Sequence, residues 1–369
     1  MPSDQGEARN PEHYAIVIGI DKYSQFRPLR AAVRDATRFA EWLESPEGGG
    51  LPKSNIHLIT SPSEAGEPNT NPFSARPVRD DVDHALARIG VQSKRRIGSR
   101  LYFYFAGHGF GPTFDNIGML MANAAIERLD SNVGLLPYRH FFRDWGFFDE
   151  VVFILDCCRD EFVSVNQTSR PGFTFGQIDG ARPPVNDFIV MAAPHGAKAF
   201  QAQDTNTGER RGLLTEALLE ALQSADAADP RGRFTASSLR AYVERRVPEL
   251  ADAAPIDPLT GKKLEQKPEI TPPPSEIVFG AIPVNQLEQV RVRIVASAGS
   301  AGLLELRGND WSVIASRPAN DATADKPPWE EQLLRLKWYA LTNTSSPPGT
   351  PPTLIDLREA KGDPHVITL

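Results

Sequence analysis

Two short runs of consecutive apolar and aromatic residues stand out in the hydrophobic pattern of the chain. Residues 101–105 read LYFYF and residues 151–155 read VVFIL, with no polar position inside either run. Consecutive apolar positions, in contrast to alternating ones, predict strands that are covered on both faces, as in a parallel sheet with helices on each side. The first run stops at AGHG (106–109) and the second at DCCR (156–159).

Weaker patterns before, between and after these runs predict the other elements of an α/β fold. Apolar residues recur at the 3.6-residue spacing of amphipathic helices, and Thr235 is a candidate N-cap. Residues 248–274 are rich in Pro, Asp and Lys and carry no predicted element. Strands are predicted at 14–20, 55–59, 187–193 and 276–279, and helices at 28–44, 77–89, 136–142, 212–223 and 234–247. Together with the two apolar runs, these elements predict a mostly parallel six-stranded sheet flanked by helices.

The pattern changes after residue 280. Residues 290–295 (VRVRIV) alternate apolar and polar side chains, which is typical of an antiparallel strand with one solvated face. Further short strands, separated by Gly/Asn/Asp and Pro/Gly turn signals, are predicted at 303–306, 312–315, 338–341 and 365–369. We therefore predict two domains: an α/β domain over residues 1–280 and a small all-β sandwich over residues 281–369. The sandwich has no catalytic cluster and is expected to bind a partner or to steady the first domain.

His108 and Cys158 each follow one of the two apolar runs. In parallel sheets, ligands bind outside the carboxyl ends of the strands, so both side chains are expected at the edge where sites form. A thiol needs a neighbouring base to become a nucleophile, and an imidazole can take its proton near neutral pH. Alone, the histidine is explained by a turn and the cysteine by a small buried residue; together they favour a Cys–His dyad. The backbone amides of Gly109 and Cys158 are candidate donors for an oxyanion hole.

The composition of the chain argues against several classes of protein and of site. The chain has 369 residues, 40 Lys and Arg against 47 Asp and Glu, and a net charge of −7, which argues against a nucleic-acid surface. We expect no signal peptide and no membrane span, because no long apolar run is present. The only cysteines, Cys157 and Cys158, are adjacent, so they neither staple the fold nor form a tetrahedral zinc site by themselves. A reducing, cytoplasmic location and the absence of a metal or other cofactor are the resulting expectations.

Four segments in this order resemble the caspase-like cysteine peptidases, and more closely their bacterial and metacaspase branch. A fifth segment, GLLTEALLEAL (212–222), resembles the helix of their small subunit. The resemblance covers roughly the first 280 residues and implies a caspase–haemoglobinase fold with His108 and Cys158, 50 positions apart, as the catalytic dyad. The four segments are YAIVIGIDKY (14–23), LRAAVRDATRFAEWL (29–43), YFYFAGHG (102–109) and VVFILDCCRDEF (151–162).

The match assigns the nucleophile to Cys158, the third residue of an Asp-x-Cys pattern, and Cys157 is expected to point to the opposite side of the chain. Caspases carry Gln at the position of Asp156, whereas metacaspases carry Asp there. Read without the resemblance, Asp35 is a solvated helix charge that points away from the apolar face, and Asp156 caps local backbone amides. With the resemblance, both line the substrate pocket and favour cleavage after Arg or Lys.

The resemblance also bears on activation and partners. Residues 161–185 form a predicted long loop that matches the caspase linker between subunits, so self-cleavage at Arg170 or Arg182 is one expectation and an uncut lid is the other. Arg159 and Asp160 stand where relatives often carry Ser-Gly or Arg-Gly. The expected partners are a protein substrate and an upstream activating protease or regulator, with calcium dependence left open. A bacterial stress or antiviral defence cascade is one setting; the alternative function is a catalytically silent, partner-binding scaffold.

Overall fold

The fold is known from a computed structural model of the chain. The chain divides into two compact units, one of residues 1–220 with 243–277 and one of residues 221–242 with 278–369. The second unit therefore includes residues 221–242, which lie before the predicted boundary at residue 280. The structure describes residues 9–62, 70–159, 168–175, 183–203, 208–229, 231–256, 261–282, 289–308, 311–335, 338–347, 349–357, 360 and 362–369.

The described residues between 13 and 281 form five α-helices and thirteen strands. None of the helices in the described part of the chain has the length and apolarity needed to cross a bilayer. The helices are α1 (Ala32–Glu44), α2 (Arg79–Ile89), α3 (Leu135–Trp145), α4 (Leu213–Ala221) and α5 (Ala236–Ala253). The strands are β1 (His13–Gly19), β2 (Ile56–Thr60), β3 (Gly98–Ala106), β4 (Gly109–Thr113), β5 (Asn116–Leu120), β6 (Asn132–Gly134), β7 (Phe148–Asp156), β8 (Asn186–Met191), β9 (Gln201–Gln203), β10 (Arg210–Gly212), β11 (Arg233–Thr235), β12 (Glu269–Thr271) and β13 (Val278–Ala281).

A six-stranded sheet in the order β12-β8-β7-β3-β1-β2 forms the centre of the first unit. Five of its strands are parallel, and β12 runs antiparallel to β8 at the edge. The two apolar runs of the sequence lie in β3 and β7, which pair with each other in the middle of the sheet. The predicted α/β class with a mostly parallel six-stranded sheet is therefore confirmed.

Successive residues of β3 show why the run is apolar at every position. Phe103 packs against Tyr138 and Phe142 of α3, with ring centroids 5.8 and 6.4 Å apart. The next residue, Tyr104, stacks on Phe39 of α1 at 4.7 Å. Because neighbouring side chains of a strand point to opposite faces, helices cover both sides of this sheet.

The sixth strand is not where the sequence pattern placed it. The predicted strand 276–279 overlaps β13, which pairs with β11 in the second unit. The sheet is instead completed by β12 (Glu269–Thr271), inside the segment without a predicted element. Only Ile270 of β12 is buried, and three residues with one apolar side chain are too short to show a period. The end of α5 was also missed, because this helix continues through Pro248 to Ala253.

A small three-stranded sheet, β4-β5-β6, follows β3 directly. Gly107 and His108 form the link between β3 and β4, so the histidine is fixed at both sides by regular structure. The Leu120 amide donates a hydrogen bond of 2.9 Å to the His108 carbonyl. The backbone at this histidine is therefore held by paired strands and does not belong to a free loop.

The region after residue 288 is all-β, as predicted. Its strands form a three-stranded sheet in the order β17-β14-β20 and a four-stranded sheet in the order β16-β15-β18-β19. Buried residues of both sheets, including Val292, Ile294, Leu306 and Tyr339, form one hydrophobic cluster, as in a sandwich. The strands are β14 (Gln289–Val295), β15 (Leu303–Arg307), β16 (Val313–Pro318), β17 (Trp329–Leu334), β18 (Trp338–Asn343), β19 (Thr353–Asp356) and β20 (His365–Thr368).

The packing of β3 yields a stability prediction. Replacing the fully buried Phe103 with Ala removes a ring that contacts α3 and β7, and we expect a loss of about 3–5 kcal/mol in the free energy of unfolding. Ile126→Ala is the control, because Ile126 is 73% exposed and should change the free energy by less than about 0.5 kcal/mol. Urea unfolding of both variants measures the difference, and equal effects would contradict the proposed core.

Candidate active site

The register of β3 and β7 places the two reactive residues side by side. Ala106 at the end of β3 is paired with Asp156 at the end of β7. His108 and Cys158 each lie two residues beyond this pair, at the carboxyl edge of the sheet. A side chain on Gly109 would meet the Cys157 sulfur at 2.7 Å and the Cys158 carbonyl at 2.8 Å. The two segments are thus packed so closely that only glycine fits between them.

Three groups from the segment after β1 hold His108. The Tyr23 hydroxyl accepts a hydrogen bond of 2.8 Å from the His108 amide, and its ring centroid lies 4.8 Å from the imidazole. Phe26 covers another side of the imidazole, with ring centroids 6.0 Å apart. The Nε2 atom lies 2.7 Å from the Arg27 carbonyl oxygen. Because a carbonyl can only accept, Nε2 must carry a hydrogen, and in the neutral ring Nδ1 keeps the free electron pair.

The protonation state of His108 follows from its surroundings. Burial lowers the pKa of the imidazole, because the charged form loses water, while the hydrogen bond to the Arg27 carbonyl opposes this shift. The ring is therefore neutral at pH 7, with Nδ1 able to accept a proton. A neutral imidazole of fixed tautomer has the form that a general base requires.

The two adjacent cysteines have different surroundings. Cys157 is fully buried in the hydrophobic core, and burial raises the pKa of its thiol well above the ordinary value. Cys158 is partly exposed, and its sulfur lies 3.4 Å from the Ala199 amide and 3.5 Å from the Ala199 carbonyl. An inert buried thiol and an accessible one thus follow each other in the chain, which supports Cys158 as the candidate nucleophile.

The Gly109 amide is not used in the pairing of β4 with β5. Gly109 is opposite Met119 in the β4–β5 pair. The hydrogen bond between the neighbouring Leu120 amide and His108 carbonyl makes this a non-hydrogen-bonded pair, so the Gly109 amide points away from β5. Its assignment to an oxyanion hole, together with the Cys158 amide, stays a prediction.

The structure brings the two predicted pocket carboxylates, Asp35 and Asp156, together around Gly212. The Asp35 carboxylate accepts a hydrogen bond of 2.7 Å from the Gly212 amide. Asp156 accepts bonds of 3.1 and 2.7 Å from the amide and hydroxyl of Thr215, whose hydroxyl also lies 2.7 Å from that of Tyr104. A side chain at residue 212 would meet Asp156 Oδ2 at 2.3 Å and Asp35 Oδ2 at 2.9 Å. Residues of α1, β7 and α4 therefore converge on one small acidic site.

The solvated-charge interpretation of Asp35 is wrong, because the side chain is 1% exposed. Asp156 does bind backbone and hydroxyl groups, but those of Thr215, 59 residues away, and not those of its own strand end. Asp35 lies three residues after Ala32 and four before Phe39, so helical spacing places it on the same buried face of α1, and the expectation that it points away from the apolar face is wrong.

Burial destabilises the charged forms of both carboxyl groups in the acidic site. It raises the pKa of Asp35 well above its usual value, and the nearby Asp156 carboxylate raises it further. Burial also raises the pKa of Asp156. The Asp35 Oδ1 atom is buried without a hydrogen-bond partner among the described residues. A cationic group placed here would stabilise the charged carboxylates and would supply a donor to this atom.

Arg159, directly after Cys158, is fully buried. Its guanidinium donates to the Glu269 carboxylate at 2.6 Å, to the Ala193 carbonyl at 3.4 Å and to the Phe114 carbonyl. Its amide donates to the Ala197 carbonyl at 2.9 Å. Arg159 thus ties the strand end of Cys158 to β12 and to the β4–β5 turn.

One of the two predicted self-cleavage positions, Arg170, lies in the described part of the chain. Arg170 is exposed. Arg182 lies outside the described residues. The nearby aromatic residues Phe173 and Phe175 stack on Phe141 of α3, with ring centroids 5.8 and 5.9 Å apart.

Sequence reasoning missed the residues that support the reactive groups. Tyr23 ends the quoted segment 14–23, yet no role was assigned to it, and a backbone acceptor such as the Arg27 carbonyl leaves no trace in residue type. Thr215 and Gly212 lie in the quoted segment 212–222 and bind the carboxylates. A polar Thr among the leucines of α4 was the available signal.

The raised pKa of Asp35 yields a prediction about stability. A carboxyl that binds its proton more tightly in the folded protein contributes fully below its unfolded pKa of about 3.9 and loses that contribution as pH rises through its folded pKa. Asp35→Asn keeps an acceptor for the Gly212 amide and cannot ionise. We therefore expect this variant to lose less stability than the wild type between about pH 4 and pH 8. Urea midpoints across this range measure the effect; exposed Asp80→Asn is the control, and parallel curves for Asp35→Asn and the wild type would contradict the prediction.

Comparison with known proteins agrees with this geometry. The sequence profile of the caspase domain matches residues 12–275. A probable protease of a Desulfuromonadales bacterium is 29% identical over 221 residues, which are 58% of this chain and 26% of that protein. The chain thus spans about a quarter of the length of this curated relative.

Two solved structures are similar in fold. Caspase-1 from Spodoptera frugiperda aligns with a TM-score of 0.46 and 14% identity, covering 76% of this chain and 99% of the caspase. The proenzyme pro-Sf-caspase-1 aligns with a TM-score of 0.37 and 13% identity, covering 73% and 93%. Since the caspase profile matches well over half of its length, the chain belongs to the caspase-domain family of peptidases.

Proposed function

We propose that this protein is a cysteine endopeptidase that hydrolyses protein substrates after Arg or Lys, with Cys158 as nucleophile and His108 as base. The observation that carries the proposal is the placement of the acidic site. Asp156, which lies in that site with Asp35, is only two residues before Cys158. A substrate whose basic side chain enters this site brings the following peptide bond to the end of β7.

Acylation uses the tautomer that the Arg27 carbonyl fixes. The Cys158 thiol gives its proton to Nδ1 of His108, and the thiolate attacks the carbonyl carbon of the scissile bond. The resulting oxyanion is stabilised by the amides of Gly109 and Cys158. His108 then returns the proton to the departing amine, the C–N bond breaks, and a thioester remains on Cys158.

Deacylation repeats these roles with water. Nδ1 of His108 takes a proton from a water molecule, the hydroxide attacks the thioester carbonyl, and the same amides bind the second oxyanion. Collapse releases the new carboxyl end of the substrate and returns the proton to the sulfur. The Tyr23 hydroxyl holds the His108 backbone amide, and the rings of Tyr23 and Phe26 flank the imidazole during both steps.

The preference for a basic residue follows from the carboxylates. A guanidinium or ammonium group would offset one of the two negative charges that burial otherwise destabilises, and it would supply a donor for Asp35 Oδ1. An acidic substrate side chain would meet like charges at the same site. We therefore propose that selectivity arises as much from the rejection of Asp and Glu as from the binding of Arg and Lys.

Activation and setting are further parts of the proposal. The exposure of Arg170 supports self-cleavage there, while cleavage at Arg182, a need for calcium, and an upstream protease or regulator rest on the resemblance alone. We propose that the all-β tail binds a partner. We also propose a cytoplasmic role in a bacterial stress or antiviral defence cascade. The only two cysteines, Cys157 and Cys158, are adjacent, which fits a reducing compartment.

Substitution of the two cysteines and the histidine tests the chemistry. On fluorogenic peptides ending in Arg, with and without calcium, Cys158→Ala and His108→Ala should lose at least 1,000-fold in kcat/KM, because each removes a reacting group. The matched Cys157→Ala variant, which lacks the neighbouring thiol, should retain activity within about tenfold. Activity that survives in Cys158→Ala and disappears in Cys157→Ala would reverse the assignment, and no turnover by the wild type would favour a silent scaffold.

Substitution of the carboxylates tests the specificity. Loss of one charge-assisted hydrogen bond costs about 1.5–3 kcal/mol, so Asp156→Asn or Asp35→Asn should lower kcat/KM for Arg peptides by about 10- to 150-fold. The same variants should change the hydrolysis of a matched citrulline peptide, which lacks the charge, by much less. Asp80→Asn is the control for loss of one negative charge. Equal losses of kcat/KM on the Arg and citrulline peptides would contradict the proposed pocket, and so would cleavage by the wild type after Asp alone.

A further inference from the structure

A groove on the far edge of the six-stranded sheet has no assigned role. It encloses about 560 Å³ between strand β2 and helix α2. In the described part of the chain, β2 pairs only with β1, so its other side presents unpaired backbone groups. The groove is separate from the acidic site, since β2 lies three strands from β7, which carries Asp156.

Two arginines and one aspartate are the charged side chains of the groove lining. Arg76 and Arg88 are exposed there beside His57 and His84. Burial lowers the pKa of His57, and the charge of Arg88 lowers it further. No carboxylate of the described residues forms an ion pair with either arginine. In a chain with a net charge of −7, this is a local excess of positive charge.

The single carboxylate in the lining does not offset this charge fully. Asp81 accepts a hydrogen bond of 2.8 Å from the Val78 amide and so caps the start of α2. Its position is explained by the helix end, and one negative charge faces two arginines. The groove therefore has electrostatic complementarity with an anionic ligand.

The open edge of β2 narrows the class of ligand. Proteins normally block edge strands with charge, proline, bulges or a covering segment, because an open edge pairs with other chains. Here Leu58, in the middle of β2, is 45% exposed within the groove lining. A small anion would use the arginines alone, whereas an extended peptide would use the backbone, Leu58 and the arginines together.

We propose that β2 is a docking site for an extended acidic peptide segment of a partner protein, which adds to the sheet as a seventh strand. Its backbone pairs with the free edge of β2, and its carboxylates pair with Arg76 and Arg88. The five residues of β2 span about 17 Å, so the segment needs about five residues in extended form. Alternate Glu side chains on one face and small apolar ones on the other match the arginines and Leu58.

The test measures binding of a fluorescein-labelled peptide, Thr-Glu-Val-Glu-Val-Glu-Thr, to the full chain by fluorescence anisotropy. The Cys158→Ala background prevents cleavage, and the peptide contains no Arg or Lys. We expect saturable binding to Cys158→Ala. Adding Arg88→Glu should weaken it at least tenfold, and the matched exposed Arg95→Glu should change it by less than twofold.

A second peptide separates strand addition from charge alone. The same sequence with alternate backbone amides N-methylated keeps its three carboxylates and loses half of its hydrogen-bond donors. It should bind at least tenfold more weakly to the Cys158→Ala protein. Equal affinity for the two peptides would overturn strand addition, and so would the absence of saturable binding or an equal effect of Arg88→Glu and Arg95→Glu. Thermal unfolding confirms that each variant is folded, and the outcome does not depend on whether the chain has peptidase activity.

Discussion

The parallel pairing of β3 with β7 is the constraint on which the site depends. These strands lie in the middle of the sheet and are buried on both faces, so a slip in their register would break the packing of their aromatic side chains against α1 and α3. The register of Ala106 with Asp156 then brings His108 and Cys158 to equivalent positions beyond the sheet. Two residues far apart in sequence become neighbours because hydrophobic packing fixes two strand ends.

The surrounding structure stabilises groups that would otherwise oppose folding. The buried Asp35 and Asp156 repel each other, and hydrogen bonds from Gly212 and Thr215 together with the nearby charge of Arg38 partly offset this cost. Under the proposed function, a basic side chain of the substrate offsets the remaining cost. The loss of stability would then lie at the proposed substrate site, as it often does at functional sites.

Sequence pattern alone accounts for the central strands, the α/β class and the edge position of His108 and Cys158. Consecutive apolar residues reveal doubly covered strands, and reactive residues that follow such strands lie at one edge. The pattern could not locate β12, because three residues carry no period. The spacing of Asp35 from Ala32 and Phe39 does place it on the buried face of α1, but a charged residue type favoured the solvated interpretation. Only the resemblance to caspase-like peptidases suggested a pocket role for Asp35.

The supporting groups illustrate a second limit of sequence reasoning. The partner of His108 Nε2 is the backbone carbonyl of Arg27, and any residue type provides a carbonyl. Tyr23 contacts the imidazole across 85 positions of sequence, a separation that no local pattern encodes. The candidate reactive residues can therefore be predicted from the sequence, whereas the groups that orient them are identified only from the fold.

A crystal structure of the protein treated with an arginyl chloromethyl ketone would test the shared placement of nucleophile, base and pocket most directly. We predict a covalent bond from the inhibitor to the sulfur of Cys158, the imidazole of His108 within hydrogen-bond distance of the reacting group, and the guanidinium between Asp35 and Asp156. Attachment to Cys157, or a guanidinium that lies outside the acidic site, would contradict this arrangement.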